Sequence, residues 1–297
     1  MPVNLYFDGM HGIGDNIIQR AFIKALVMKG HQVWLKTPLP ELYVGIPHLY
    51  FVRADTRLRT QRKSEMRSTM NFALSEPALA PRRLFYGNYH LQRGGIFKAM
   101  EEQFGVKPAM MDLPTMPKPK LLLPEDKLLA LIRPTTERTE WHNASRGPLN
   151  KYIDQIARIL SLNGFYVVSI ADTEPGAEWI PDMEPFADLK LNRGELTLLE
   201  MLGLIERSSI CVTGPGVAML AAIAYRRPML CIQGGCGGSN HHSKITDPEC
   251  MDLSDSLFIY PDHYCMCQEM KHNCDKTISD LESKVTPFIE RVKRKGT

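Results

Sequence analysis

The sequence predicts an α/β protein built from two consecutive doubly wound parallel sheets. Short apolar runs alternate with amphipathic helical stretches, and polar or glycine-rich turns follow the apolar runs. The alternation halts at a Pro- and Lys-rich stretch, 115–126, and then restarts, as expected of an interdomain linker. At 297 residues the chain has room for two domains of about 150 residues each.

In chain order, LYFDG (5–9) reads as a strand and 14–30 as a helix, with Ile17, Ile18, Phe22, Ile23, Leu26 and Val27 at helical spacing and Gly30 as a stop. HQVWLKT (31–37) completes a βαβ unit, which implies parallel strands and a right-handed crossover. YFV (50–52), LFYGN (84–88) and a helix near 95–104 continue the scheme. Residues 53–83 hold Arg53, Arg57, Arg59, Arg62, Lys63, Arg67, Arg82 and Arg83 against Asp55, Glu65 and Glu76. That window reads first as a solvated loop and helix face, and second as a basic lip for an anionic acceptor. Past the linker come a strand at 127–134, a helix at 152–164 and a fully buried strand at 165–172. A helix (196–208), strand (210–214), helix (216–227) and strand (228–235) follow, and 278–295 forms an amphipathic helix that Pro287 should bend or restart.

Composition narrows the function classes. The chain is 44% hydrophobic and 23% charged, which excludes global disorder. Its 36 Lys and Arg against 33 Asp and Glu give +3, too little to argue for nucleic acid or a membrane surface. No window approaches the roughly 18 apolar residues of a membrane span. The opening MPVNLYFDGM lacks a basic segment before a long apolar run, so no secretion signal and no stable membrane insertion are expected. Seven cysteines, an odd number, speak for a reduced, cytoplasmic protein rather than a disulfide framework.

Ligands of open parallel sheets bind beyond the carboxyl ends of the strands, which selects four turns. In DGMHGIGDN (8–16), Gly9, Gly12 and Gly14 permit a tight turn and Gly14-Asp15 opens a helix whose N–H groups favour an anion. Asp15 reads either as a first-turn acid or cap, or as a carboxylate placed to take a proton from a hydroxyl. RPTTERTEWHNASRGP (133–148) offers Thr135, Thr136, Arg138 and Arg146, donors that suit a diphosphate. VTGPGVAMLAA (212–222) brings Thr213, Gly214, Pro215 and Gly216 to a helix start. QGGCGGSNHHSKITDP (233–248) is a flexible polar loop with Gly234, Gly235, His241 and His242. Separately, Cys265, Cys267 and Cys274 lie near His263 and His272. C-x-C is tighter than the usual zinc knuckle, so packing thiols are the first reading and zinc the second.

These motifs resemble the family 9 glycosyltransferases, the ADP-heptose:lipopolysaccharide heptosyltransferases and their relatives. Gly14-Asp15-Asn16-Ile17-Ile18 looks like the family's first motif, VTGPGVAMLAAIAYRRPMLCIQGG like its late donor-site motif, and HYCMCQEMKHNCDKTISDLESKV like the Cys-containing segment before the last helix. The resemblance is strongest at 9–40 and 205–294 and weakest at 53–120. It departs at Met219, where members commonly carry His, and at a loop Lys for which Arg146 is the nearest substitute.

The resemblance implies the GT-B fold: two Rossmann-like domains facing each other across a cleft, with a C-terminal helix bracing both. It divides the chain into an acceptor domain (1–118), a nucleotide-sugar donor domain (119–275) and a helix (276–297) packing back on the first domain. The expected activity is inverting, metal-independent transfer of a sugar from a nucleotide-diphosphate sugar, a co-substrate rather than a cofactor, with Asp15 as general base. Donor contacts fall on Thr135, Thr136, Arg138, Arg146, Thr213, Gly214, Pro215, Gly216, Gly234 and Gly235, and acceptor contacts on His11, Asn16, Arg57 and Arg59. The acceptor is a glycan, a lipopolysaccharide core or a polyanion such as hydroxylated DNA. The alternative is a non-catalytic nucleotide- or sugar-binding protein on the same scaffold. A dinucleotide-dependent oxidoreductase lacks its ribose-binding acid, because the second strand ends in Lys36-Thr37-Pro38.

Overall fold

The computed structural model describes residues 2–140 and 144–296, which fall into two compact units. Unit 1 is 1–114 with 243–251, and unit 2 is 115–242 with 252–297.

In unit 1, β1 (Asn4–Asp8), β2 (Gln32–Lys36), β3 (Leu49–Val52) and β4 (Arg82–Arg83) form one parallel sheet in the order β3-β2-β1-β4. Helices α1 (Ile13–Met28), α2 (Arg59–Arg67), α3 (Asn88–Gln92) and α4 (Gly95–Phe104) connect or flank these strands. The α1 residues at helical spacing are buried as expected, and Phe22 stacks on Phe104, which also meets Phe7 of β1. Gly30 ends the turn at φ 87°, a conformation that favours glycine. Within this core Arg20 is 4% exposed, and its guanidinium donates to Asp112 and to the Leu42 and Val44 carbonyls, so the buried charge is fully engaged.

The strand expected at 84–88 lies earlier, at Arg82–Arg83, opposite Phe7 and Asp8. β1 ends at Asp8, whose carbonyl accepts the Leu84 N–H, so the apolar run beyond has no strand left to pair with. Asn88–Gln92 turns helical instead. The segment 243–251 returns to unit 1, where a Cβ on Gly95 (φ 89°) would lie 2.5 Å from the Lys244 carbonyl and Met111 N–H donates to the Cys250 carbonyl.

In unit 2 the strands are β5 (Leu129–Ile132), β6 (Glu137–Arg138), β7 (Tyr166–Ile170), β8 (Glu178–Trp179), β9 (Leu189–Leu191), β10 (Ile210–Thr213), β11 (Met229–Ile232) and β12 (Ser256–Ile259). Six form a parallel sheet in the order β12-β11-β10-β5-β7-β9, and β6 pairs antiparallel with β8. The helices are α5 (Asn150–Leu162), α6 (Leu198–Arg207), α7 (Val217–Ala224) and the short α8 (Gly237–Asn240); α9 (His242–Ile245) begins at residue 242 and continues into the 243–251 segment of unit 1, and α10 (Leu281–Gly296) ends the chain in unit 2. Thr197 caps α6 in a reciprocal box with Glu200.

The last helix, assigned by the sequence reading to pack back on the first domain, belongs to unit 2: Val285, Phe288, Ile289 and Val292 lie in one core with Ile153, Ile156 and Leu160 of α5. Helix α10 runs on through Pro287. Pro287 is exposed, as is Ser283 one turn earlier, so the carbonyl left without a donor faces water.

Candidate active site

In unit 1 the turn after β1 is pinned by buried side chains. Asn16, 0% exposed, accepts from Thr37 Oγ1 (2.6 Å) and Tyr43 Oη (2.9 Å) and donates to the Met10 and Gly12 carbonyls (2.8 Å each). Gln19, also fully buried, binds both backbone groups of Met10. Asn16 was expected to contact an acceptor, but its hydrogen-bonding capacity is spent on the turn itself. His11 sits half-buried on that turn.

Asp15 lies in the first turn of α1, where Gly12 holds the cap position. Its Oδ1 accepts from Tyr86 Oη at 2.8 Å. A Cβ at position 12 would stand 2.2 Å from Oδ2, so this carboxylate pose requires glycine there. Asp15 itself is half-buried. Tyr86, absent from the sequence reading, comes from 71 residues away in the chain.

Of the basic residues, Arg57 is exposed just before α2 and Arg59 opens α2, beyond the carboxyl end of β3 and so on the same sheet edge as Asp15. Arg62, Lys63, Arg67, Arg82 and Arg83 are exposed too, while Arg53 covers the Phe72 ring. Glu65, the acid at the middle of this window, is buried and accepts the Ala54 N–H, which leaves the surface basic.

In unit 2 the turns after β5, β10 and β11 converge, because these strands are neighbours. Backbone does most of the packing. A Cβ at Gly214 would lie 2.8 Å from Pro148, and at Gly234 within 2.4 Å of the Arg146 and Gly147 carbonyls. At Gly235 it would lie 2.4 Å from the Cys274 Cβ. Arg146 is half-buried at this convergence. Thr213 is buried and bonds its neighbour's carbonyl, and Pro215 and Gly216 lead into α7.

Two expected donor hydroxyls have internal partners. Thr135 Oγ1 donates to the Pro148 carbonyl, and Thr136 Oγ1 donates at 2.6 Å to Glu178, which also pairs with Arg138 at 3.6 Å. These three residues shape the turn. Residues 141–143 of the same turn lie outside the described residues. Lys276, which the sequence reading passed over, donates from Nζ to the Ala144 and Gly147 carbonyls, and burial holds its pKa below the ordinary lysine value.

The turn after β11, expected to be flexible, contains α8 and α9. Cys236 stands at φ 54°, a left-handed conformation that costs an L-residue about 1–2 kcal/mol, and its N–H donates to Cys274 Sγ at 3.4 Å. His242 Nδ1 is hydrogen-bonded to Tyr260 Oη, and its ring stacks on Phe258.

The cysteine segment brings its side chains together. Ligand atoms of Cys265, Cys267, His272 and Cys274 all lie within 4.8 Å of one another, whereas His263 is exposed and outside the cluster. Cys267 and Cys274 Sγ are 3.6 Å apart, and His272 Nδ1 is 3.3 Å from Cys274 Sγ and 3.5 Å from Cys265 Sγ. Tetrahedral bonds of about 2.3 Å to sulfur and 2.0–2.1 Å to nitrogen give edges of roughly 3.8 and 3.6 Å, close to these three separations. Burial pushes the Cys274 thiol up to about 12. For Cys267, desolvation raises the thiol, but hydrogen bonding with the Glu269 backbone and the neighbouring thiols outweighs it and holds it below its ordinary value. The C-x-C spacing is accommodated because Met266, between the two thiols, is 57% exposed.

No protein-family model matches the chain, and no curated protein matches it in sequence. Among solved structures it is similar to the iron-containing dodecameric glycosyltransferase TibC of enterotoxigenic E. coli H10407. The TM-score is 0.62 at 16% identity, over 100% of this chain and 77% of that one. It is similar to a glycosyltransferase family 9 protein of Veillonella parvula DSM 2008, with TM-score 0.56 at 12% identity over 98% and 97% of the two chains. The ADP-heptose lps heptosyltransferase II of E. coli gives 0.50 at 12% identity over 99% and 100%. The chain therefore has the two-domain α/β fold of GT-B glycosyltransferases, shared with the family 9 heptosyltransferases. No helix of the described residues is long and apolar enough to cross a membrane.

Proposed function

We propose that this protein transfers a sugar from a nucleotide-diphosphate sugar to an acceptor hydroxyl with inversion. The observation that carries the reading is the convergence of the β5, β10 and β11 turns of unit 2, with Arg146 and Lys276, on a sheet edge where diphosphates bind in this fold class. One structural neighbour is a heptosyltransferase in complex with ADP-D-β-D-heptose, which supports the donor class.

Unit 2 would hold the donor. Backbone N–H groups around Gly214–Gly216, Arg146 and the third N–H of Lys276, which spends two on carbonyls, would neutralise charge developing on the departing diphosphate. Unit 1 would supply Asp15, oriented by Tyr86, to take the proton from the attacking hydroxyl. Gly12 and the Asn16–Thr37–Tyr43 network keep that carboxylate in place. The exposed arginines after β3 favour an anionic acceptor.

Cys265, Cys267, His272 and Cys274 fit a thiophilic ion, zinc or iron. Four protein ligands leave no open position, so the bound ion would stabilise structure and take no part in the transfer.

Nucleotide-diphosphate sugars offered with glycan and oligonucleotide acceptors test the proposal. Nucleoside diphosphate should be released only with acceptor, and the product should carry the inverted anomer by NMR. A retained anomer would remove the one-step mechanism. Acceptor affinity falling steeply with salt would identify a phosphate-bearing polymer, and a flat profile a neutral glycan.

A further inference from the structure

The cysteine segment 264–276 is bonded to both loops that would hold the diphosphate. Gly237 N–H donates to the Cys265 carbonyl at 2.8 Å and Gly238 N–H to the Cys267 carbonyl at 2.9 Å. Cys236 N–H donates to Cys274 Sγ at 3.4 Å. From the other loop, Ser145 Oγ donates to the His272 carbonyl at 2.8 Å and its N–H to the Met270 carbonyl at 3.3 Å. Each of the four candidate ligand residues thus accepts a hydrogen bond from a donor loop, through its own carbonyl or sulfur. The fit is close: a Cβ at Gly237 would stand 2.9 Å from the Cys265 carbonyl, and at Gly238 2.8 Å from that of Cys267.

Residues 264–276 contain no helix or strand of their own. Met266, Glu269, Lys271, His272 and Asn273 are exposed, so apolar burial does little to fix this backbone. What converges inside it is the ligand set. A metal ion that binds only the assembled set holds the carbonyls to which the loops are bonded.

We infer that the Cys265–Cys267–His272–Cys274 metal site is the fastener of the donor site. With the ion bound, loops 144–148 and 233–240 are held in the conformation that receives a nucleoside diphosphate; with it removed, both lose their backbone partners and nucleotide binding weakens. The inference rests on the donor reading above only for its nucleotide arm. The four ligands act as positioning residues, since they touch the loops and not the substrate.

The test uses the full chain as purified, with metal content measured, then stripped by chelation under reducing conditions and reloaded with Zn²⁺, Fe²⁺ or Co²⁺. Hydrogen exchange of the two loops and calorimetric affinity for ADP, UDP and GDP are read in each state. Stripping should raise exchange in 144–148 and 233–240 at least tenfold with α1 unchanged, and should weaken the nucleotide that binds at least tenfold. Zn²⁺ or Fe²⁺ should restore both, and Co²⁺ should give thiolate charge-transfer and tetrahedral ligand-field bands. Loops that stay protected after stripping, or a chain that takes up none of the three ions, would overturn the inference. If no nucleotide binds the loaded protein, the donor reading fails while loop exchange still decides the fastener. Because Cys265→Ser could unfold the region, Gly238→Ala is the companion variant: it keeps all four ligands and wedges the loop off the Cys267 carbonyl. It should retain one ion per chain, with faster loop exchange and weaker nucleotide. Wild-type exchange in that loaded variant would contradict the inference.

Discussion

The two units build their functional turns by opposite means. In unit 1 the Asp15 turn is held by side chains: Asn16, Gln19, Thr37 and Tyr43 are all buried and hydrogen-bonded to one another or to the Met10 and Gly12 backbone. In unit 2 the turns proposed to hold the donor are held by backbone, with Gly214, Gly234 and Gly235 admitting neighbours at distances a Cβ would forbid. A proton-accepting carboxylate needs one fixed direction, which a side-chain network on a helix supplies. A diphosphate needs several N–H donors on a concave surface, and close-packed glycine turns supply those. Damage to unit 1 should therefore appear in turnover, and damage to unit 2 in donor affinity.

The largest effect expected is that of Asp15→Asn, which preserves shape and removes the base. Turnover should fall by about 10²–10⁴-fold, the usual contribution of a general base, with donor affinity within a few-fold of wild type. Comparable losses in both would break the division between the units. Gly234→Ala sharpens the other side. Its methyl meets two backbone carbonyls within 2.4 Å, so donor Kd should rise roughly tenfold and stability fall by about 1–3 kcal/mol in denaturant titration. An unchanged Kd would detach this turn from donor binding.

Asn16→Ala leaves the Thr37 and Tyr43 hydroxyls without their acceptor in a dry site, at a cost of about 1–3 kcal/mol in the same titration. Turnover should fall with it while donor affinity stays put. If acceptor affinity alone changes, Asn16 is a binding residue after all. The smallest effect belongs to Tyr86→Phe. The Tyr86 hydroxyl donates to Asp15, and a hydrogen bond to the charged form favours ionisation. Its loss should move the acidic limb of the kcat/KM profile to higher pH and cost a few-fold in rate near neutrality. A profile that stays in place would mean that another group carries the limb.

What could be read from the sequence was set by local spacing. The helix at 13–28, the buried strand at 166–170 and the turns after β1, β10 and β11 follow from periodicity and glycine placement within a few residues. Asp15 was visible as the acid opening the first helix. Its partner Tyr86 was not, because nothing local links residues 71 positions apart. For the same reason Asn16 was taken for a ligand contact: its hydrogen-bonding partners Thr37 and Tyr43 lie on β2's exit and the 3₁₀ turn at Pro40–Tyr43. The bond from Thr136 to Glu178 is likewise invisible in the sequence, because Glu178 arrives from β8, 42 residues away. The convergence of Cys265, Cys267, His272 and Cys274 cannot be read from spacing, because these residues meet in a segment without regular structure. The return of 243–251 to unit 1 leaves no periodic mark at all.

The most direct test of the central claim is a thermal-shift screen of the metal-loaded chain against ADP-, UDP-, GDP-, CMP- and dTDP-sugars. A ligand at about 100 times its Kd adds about 2.7 kcal/mol, which for a unit of this size raises the transition by roughly 5–10 °C. The account predicts that one nucleotide class produces this shift, that Asp15→Asn retains it and that Gly234→Ala diminishes it. No shift from any nucleotide sugar, or a shift that Asp15→Asn abolishes and Gly234→Ala leaves intact, would contradict it.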